Sequence, residues 1–408
     1  MIVGNLISAT ALGAVGLTSS MTWLLTAICT SIGAGVNIAV AQYFGAKKET
    51  DIQESISVSY LIAVIASIFL TAACFLAARP VIFGFLQAPE EMRFDSMAYF
   101  LIYSGGIIFQ LLYNVTYGIL RAHGDSRGAL IFLMISAALN IVLDCLFISV
   151  FHMGVSGAAA ATVIAQAGSA IASFLYLRHI FPDLLPKRHY LYAWKGQGAL
   201  LMRLSIPIML QTGVNSIGFL ILQRLINSFG APSIEGYAAM LKVEQLAHIP
   251  SQSFNVAISS FAGQNIGAEK LDRARRGYRT TILMGVLISI SISIVVLLFD
   301  RPLLQIFNIT GESLRRAKEH LDILMFFIWT ITNIACGFLQ GAGDVKIPAA
   351  SGFINLGIRL ALSFLLALTP VGFRCYYVSM PPAWLIACFV VVMRYRSGKW
   401  REFRIVKE

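Results

Sequence analysis

The sequence predicts an all-α integral membrane protein of two parallel six-helix repeats, the first helix of the N-terminal repeat truncated, with about eleven full spans. Three observations predict it. The 408 residues are 57% hydrophobic and 12% charged, against about a quarter charged in soluble domains. Apolar runs recur along the chain, for instance over residues 61–78, 282–299 and 380–393; with their flanks they supply the roughly 20 residues that cross a hydrocarbon core of about 30 Å. One design is also written twice. Gln42-Tyr43-Phe44-Gly45-Ala46 returns as Gln264-Asn265-Ile266-Gly267-Ala268, an offset of 222, and Gly118-Ile119-Leu120 with Gly124-Asp125 returns as Gly337-Phe338-Leu339 with Gly343-Asp344, an offset of 219. Two landmarks at nearly one offset imply a duplicated unit.

Taken in order, the spans read as residues 11–44, 55–78, 95–120, 129–150, 158–178, 200–228, 237–263, 279–299, 320–340, 349–369 and 377–395. The first begins with a turn near Ala11-Leu12-Gly13, and residues 1–9 read as the last turns of the truncated helix, because the offset sets Ile2 opposite Arg224. Its close, the QxxGA pair, is a helix stop in which Gly45 and Gly267 are placed to turn left-handed. Turns carry Pro89-Glu90-Glu91, Gly124-Asp125, Gly230-Ala231-Pro232 and Gly343-Asp344. Ser-Ile alternation over 288–294 mimics a strand, but its length and hydrophobicity favour a helix with small residues at a packing face. Pro207 and Pro250 fall inside spans and free backbone carbonyls there. The N-lobe is 1–179, a basic connector 180–199, the C-lobe 200–395 and a basic tail 396–408. Six spans per complete copy put both copies in the same orientation, an arrangement that suits alternating access at a site between two rocking lobes.

The net charge of +11 orients the chain rather than naming a ligand. If residues 42–54 face the cytoplasm, cytoplasmic segments hold 21 Lys and Arg and external segments 7, with Arg224, Lys242 and Arg359 inside spans. This is the positive-inside bias; it places the C-terminus in the cytoplasm and gives no reason to expect a nucleic-acid partner. The six cysteines form no CxxC pair and read as small apolar-surface thiols, without metal or disulfide. The start Met1-Ile2-Val3-Gly4 lacks the basic region of a signal peptide. No phosphate-binding loop, nucleophile triad or metal-ligand spacing is present, so neither an enzyme nor a primary ATP-driven pump is expected.

Ionisable groups inside spans cost about 2.5–3.5 kcal/mol on insertion scales, so each requires a reason. Asp144 lies in the outer half of its helix, Asn140 precedes it by one turn on the same face, and Thr162 sits at similar depth on the next helix. A carboxylate, an amide oxygen and a hydroxyl make a hard-oxygen cluster for Na⁺ or a shared proton; the plainer reading is a structural Asn–Asp hydrogen bond. In the second copy, Lys242 and Glu244 are two residues apart and point in different directions. Glu244 either pairs with Arg224 on the preceding helix or meets a cationic substrate. Arg359 aligns with Asn140 and would bind carbonyls or repel cations.

The segments QYFGAKK and AGQNIGAEKLDRARRG, the GAVGLTSS start of the first span and the GYAAMLKVEQL stretch resemble the multidrug and toxic compound extrusion (MATE) transporters, DinF-like and NorM-like bacterial branch, over the whole chain. The resemblance implies twelve helices in two lobes, the bacterial inner membrane, and export of a small, amphipathic organic cation in exchange for Na⁺ or H⁺, with no other cofactor. It also implies a cation site at Asn140, Asp144 and Thr162, with Asn114 facing the same cavity. The family's further Asp, on the first helix, would fall ahead of Ile2. Lys242, Glu244 and Arg359 are the remaining candidates for the substrate cavity, and the expected state is a monomer in lipid. The rival readings are a flippase for lipid-linked oligosaccharides, since three intramembrane bases face two acids, and a non-transporting truncated paralogue.

Overall fold

A computed structural model describes residues 7–307, 309–321 and 326–406. Among the described residues the long apolar runs are helical. In chain order the helices are α1 (Ala9–Gly45), α2 (Glu49–Arg79), α3 (Glu90–Gly105), α4 (Ile107–His123), α5 (Ser126–Cys145), α6 (Gly154–Ile180), α7 (Trp194–Asn227), α8 (Ala231–Gly267), α9 (Leu271–Leu298), α10 (Asp300–Gln305), α11 (Gly311–Leu321), α12 (Phe326–Gly341), α13 (Lys346–Ala367), α14 (Cys375–Val378) and α15 (Met380–Ser397). Among the described residues, eight helices are long and apolar enough to cross a membrane, or up to ten if α3 with α4 and α11 with α12 each count as one bent span. Large apolar side chains stand exposed along them, among them Phe69, Leu76, Leu287 and Leu365, as on a protein whose solvent is lipid. The protein is an all-α, multi-pass membrane protein.

Two compact units divide the chain, Met1–Met209 and Leu210–Glu408. In the first, α1 packs along α4. The approach is backbone on backbone: a Cβ built on Gly118 would stand 2.5 Å from the carbonyl oxygen of Gly33, and one on Gly33 2.6 Å from that of Asn114. In the second, α8 packs along α12 in the same manner, a Cβ on Gly337 falling 2.3 Å from the Asn255 oxygen and one on Gly341 2.3 Å from the Ser259 oxygen. Small residues let membrane helices approach this closely where no hydrophobic effect drives them together. The repeated Gly118 and Gly337 are therefore crossing-point glycines.

The turns that follow explain the rest of each landmark. Gly124 and Gly343 adopt φ of 104° and 89°, and the amides of Asp125 and Asp344 donate back to the carbonyls of Leu120 and Leu339, both at 2.9 Å. Asp125 then caps α5, its Oδ1 accepting from the Gly128 amide at 2.9 Å, and Asp344 is buried in an ion pair with Arg394 at 2.6 Å. The QxxGA turns differ from expectation. The left-handed residues are Lys47 (φ 57°) and Glu269 (φ 59°), not Gly45 and Gly267. Lys48 and Lys270 donate to the carbonyls of Tyr43 and Asn265, at 3.1 and 2.8 Å. That is the six-to-one bond of a Schellman cap, which puts the left-handed position two residues beyond the glycine.

Other boundaries shift for local reasons. Ser8 caps α1, its Oγ accepting from the Ala11 amide at 3.0 Å, so the helix runs through Ala11-Leu12-Gly13 instead of turning there. The expected remnant of a truncated helix falls largely on residues 1–6, outside the described residues. The span expected over 95–120 is bent by 44° where α3 meets α4 at Gly105-Gly106. Residues 288–294 are helical within α9. The connector after α6 is held on unit 1: the Lys187 amide donates to Ser57 Oγ (2.9 Å), and Tyr192 OH to Glu54 (2.5 Å). α7 begins at Trp194, earlier than expected.

Candidate functional site

In unit 1, α5 and α6 lie side by side and bring two of the three expected cation ligands together. Asn140 Nδ2 donates to Thr162 Oγ1 at 3.3 Å, and the Thr162 hydroxyl donates to the Ala158 carbonyl one turn back. That bond leaves the amide oxygen of Asn140 available. Asp144, one turn farther along α5, is half-buried, and its Oδ1 is buried without a hydrogen-bond partner among the described residues. A buried carboxylate oxygen without a donor is costly, and a bound ion or a proton would satisfy it. Asn114 stands at the crossing of α1 and α4, and its Nδ2 donates to the Gln110 carbonyl at 2.8 Å within its own helix.

Around these residues is a polar cluster that sequence reasoning missed. Tyr99 of α3 lies within electrostatic range of Asp144 and stacks on Tyr103, ring centroids 6.3 Å apart. The Tyr103 hydroxyl meets Thr26 Oγ1 at 2.9 Å, and Gln110 Nε2 donates to the same Thr26 oxygen at 3.1 Å. α1, α3, α4 and α5 thus all carry polar groups to this part of unit 1. The available signal was Tyr99 and Tyr103, one helical turn apart inside a span, followed by the embedded amide of Gln110.

Unit 2 has its own buried cluster. Glu244 on α8 is 7% exposed and faces His248 one turn on, Oε1 to Nε2 3.7 Å. Arg224, the partner expected from sequence, is exposed on α7; the α8 turn itself supplies the neighbour at the i+4 position. His248 stacks on Trp329 at 5.2 Å and meets Phe326 and Trp384 edge-on. Arg359 on α13, also 7% exposed, donates through Nη2 to the Tyr376 hydroxyl, which donates on to Tyr237 at 3.2 Å. Its guanidinium also lies 5.4 Å from the Phe219 ring centre. Glu244, His248 and His320 are all within electrostatic range of Arg359. Arg359 thus donates to a tyrosine hydroxyl, with an acid within electrostatic range. Lys242 is exposed on the far side of α8 from Glu244.

Among the described residues no group of His, Cys, Asp and Glu is arranged to hold a metal ion. The groups on hand are one carboxylate, one amide and one hydroxyl in unit 1, and one carboxylate among aromatic rings in unit 2.

Comparison with known proteins agrees with this architecture. The sequence model of the MatE family matches residues 1–146 and 207–365. The probable multidrug resistance protein YpnP of Bacillus subtilis is 26% identical over 415 residues, covering 100% of this chain and 91% of that protein. The probable multidrug resistance protein NorM of Thermotoga maritima is 24% identical over 414 residues, covering 96% and 86%. Among solved structures, an outward-facing multidrug resistance MATE family transporter of the MOP superfamily superposes with a TM-score of 0.88 at 20% identity, covering 98% of this chain and 91% of that one. A MOP superfamily transporter from Pyrococcus furiosus, described as having a binding pocket of reverse polarity, gives 0.87 at 21%, covering 98% and 90%.

Proposed function

This chain belongs to the MatE family, and from that premise we propose that it is a secondary active exporter of amphipathic organic cations, working by alternating access and driven by inward movement of Na⁺ or H⁺. The observation that carries the reading is the trio in unit 1. Asn140 and Thr162 are hydrogen-bonded across α5 and α6, with the unpartnered Oδ1 of Asp144 one turn away. An ion or proton there satisfies the carboxylate and shifts the conformational balance by its difference in affinity between the two states, the only way a ligand can move such an equilibrium. The similarly named multidrug relatives support the substrate class.

In this reading the duplicated landmarks reflect two parallel repeats, whose matching caps and glycine crossings support the duplication. The exporter acts as a monomer in the bacterial inner membrane, its C-terminus cytoplasmic by the charge bias. Glu244 meets the cationic substrate against the rings of His248 and Trp329. Arg359, within range of Glu244, holds its charge in check, and Arg224 and Lys242 are exposed. One acid and one base are thus buried near one another in unit 2, and the preference for an exporter over a flippase for anionic lipid-linked sugars rests on the multidrug relatives.

The test is ethidium efflux from proteoliposomes under an imposed Na⁺ or H⁺ gradient. Wild-type protein should transport with at least one gradient, and Asp144→Asn should lose gradient-driven efflux by at least about tenfold while still folding. Transport by Asp144→Asn at the wild-type rate would sink the unit 1 site.

A further inference from the structure

At one end of unit 2 is an open cleft of about 570 Å³ lined by five bases, Lys270, Arg273, Arg275, Arg276 and Arg401. Two acids, Glu269 and Asp272, also line it, and both are engaged: Asp272 by Arg275 and Glu269 by Arg404, each at 3.6 Å. Lys270, Arg273, Arg276 and Arg401 have no carboxylate partner among the described residues. Arg273 and Arg401 instead lie near the rings of Phe261 and Trp400, at 5.9 and 5.6 Å from the ring centres. Like charges gathered in one concavity repel one another, so the arrangement is completed by an anion.

The turn geometry does not require this charge. The stretch equivalent at the 222 offset makes the same left-handed turn, at Lys47 instead of Glu269. There Lys47 and Lys48 are outnumbered by Glu49, Asp51 and Glu54. The charge is particular to the second unit.

What lies below the cleft selects the kind of anion. On α9, Arg276, Leu283 and Leu287 recur at spacings of seven and four and so share one helical face. Leu283 and Leu287 are 60% and 57% exposed. A basic cleft continued by a bare apolar strip matches an amphiphile with an anionic head, whereas a soluble polyphosphate would leave the strip unused. We infer that this cleft is a binding site for an anionic glycerophospholipid, its phosphate among Lys270, Arg273, Arg276 and Arg401 and its acyl chains along Leu283 and Leu287.

The experiment is native mass spectrometry of the full-length protein titrated with dioleoylphosphatidylglycerol or dioleoylphosphatidylcholine. Wild type should retain the anionic lipid preferentially. Each base removed should weaken it about fivefold, equivalent to about 1 kcal/mol, so Arg273→Gln/Arg276→Gln/Arg401→Gln should lose about 100-fold. The triple Arg→Lys variant should keep the preference, and Arg178→Gln/Lys187→Gln/Arg188→Gln, with the same change in net charge, should bind as wild type does. If the triple glutamine variant fails to fold, the fivefold loss in Arg276→Gln alone decides. Equal retention of both lipids, an equal loss in the two glutamine triples, or thermal stabilisation by inorganic tripolyphosphate matching that by the lipid would each overturn the proposal.

Discussion

Alanine at Gly337 has a consequence that can be worked from distances alone. Its Cβ would lie 2.3 Å from the Asn255 carbonyl oxygen and 2.8 Å from Ile258 Cγ2, whereas ordinary contact begins near 3.4 Å. The first neighbour is backbone and cannot rotate away, so α8 and α12 must part by about 1 Å or bend. Overpacking of this kind costs about 1–3 kcal/mol, against about 1 kcal/mol returned because alanine favours a helix over glycine. Gly357 on α13 is the control, since a Cβ there meets nothing within 4 Å and only the helical gain remains. The two substitutions therefore have opposite signs: Gly337→Ala lowers and Gly357→Ala raises the midpoint of thermal unfolding, by about 1 °C per kcal/mol in a chain of this size. Tryptophan fluorescence of purified protein in detergent reads both. Gly337→Ala as stable as Gly357→Ala would refute the close crossing.

Four further outcomes follow from geometry. Arg394→Ala leaves Asp344, which is 0% exposed, without its partner and should cost about 3–5 kcal/mol; pairing it with Asp344→Asn should recover part of that, as a thermal melt will show. Lys47→Gly and Glu269→Gly each relieve a left-handed backbone and should stabilise by about 0.5–1 kcal/mol, read as a raised midpoint. Thr162→Val removes the acceptor of Asn140 and should cost about 0.6 kcal/mol of stability while weakening gradient-driven ethidium efflux; unchanged efflux would reduce the pair to a structural role. Glu244→Gln should raise the half-saturating ethidium concentration, whereas Lys242→Gln, on the exposed side of α8, should leave it unchanged.

What the sequence made legible was chemistry that costs energy in a membrane. Asp144, Glu244 and Arg359 stood out because a charged side chain within an apolar run needs a reason, and all three are half-buried or buried. Asn140 and Thr162 followed from helical spacing and depth. Tyr99, Tyr103 and Gln110 did not stand out, because uncharged polar groups carry little insertion penalty and nothing along the chain shows that four helices bring them together. Arg224 was a natural partner for Glu244 by charge, but the direction in which a side chain leaves a helix decides contact, and His248 was already one turn away. The sequence locates the QxxGA turn but points to the glycine as its left-handed residue, whereas Lys47 and Glu269 take that conformation, since sequence marks the presence of a cap more clearly than its register.

The glycine crossings have a kinematic meaning. Where α1 meets α4, and again where α8 meets α12, peptide groups touch with no side chain between them. Side chains lubricate relative motion because rotamers exchange to accommodate a sliding neighbour; bare peptide groups have no such freedom. Each crossing thus behaves as a pinned joint, free to pivot slightly but not to slip lengthwise. Any working stroke must carry both members of a pair together and take up its displacement elsewhere, which makes the bend at Gly105-Gly106, rather than the crossings, the place to look for compliance in unit 1.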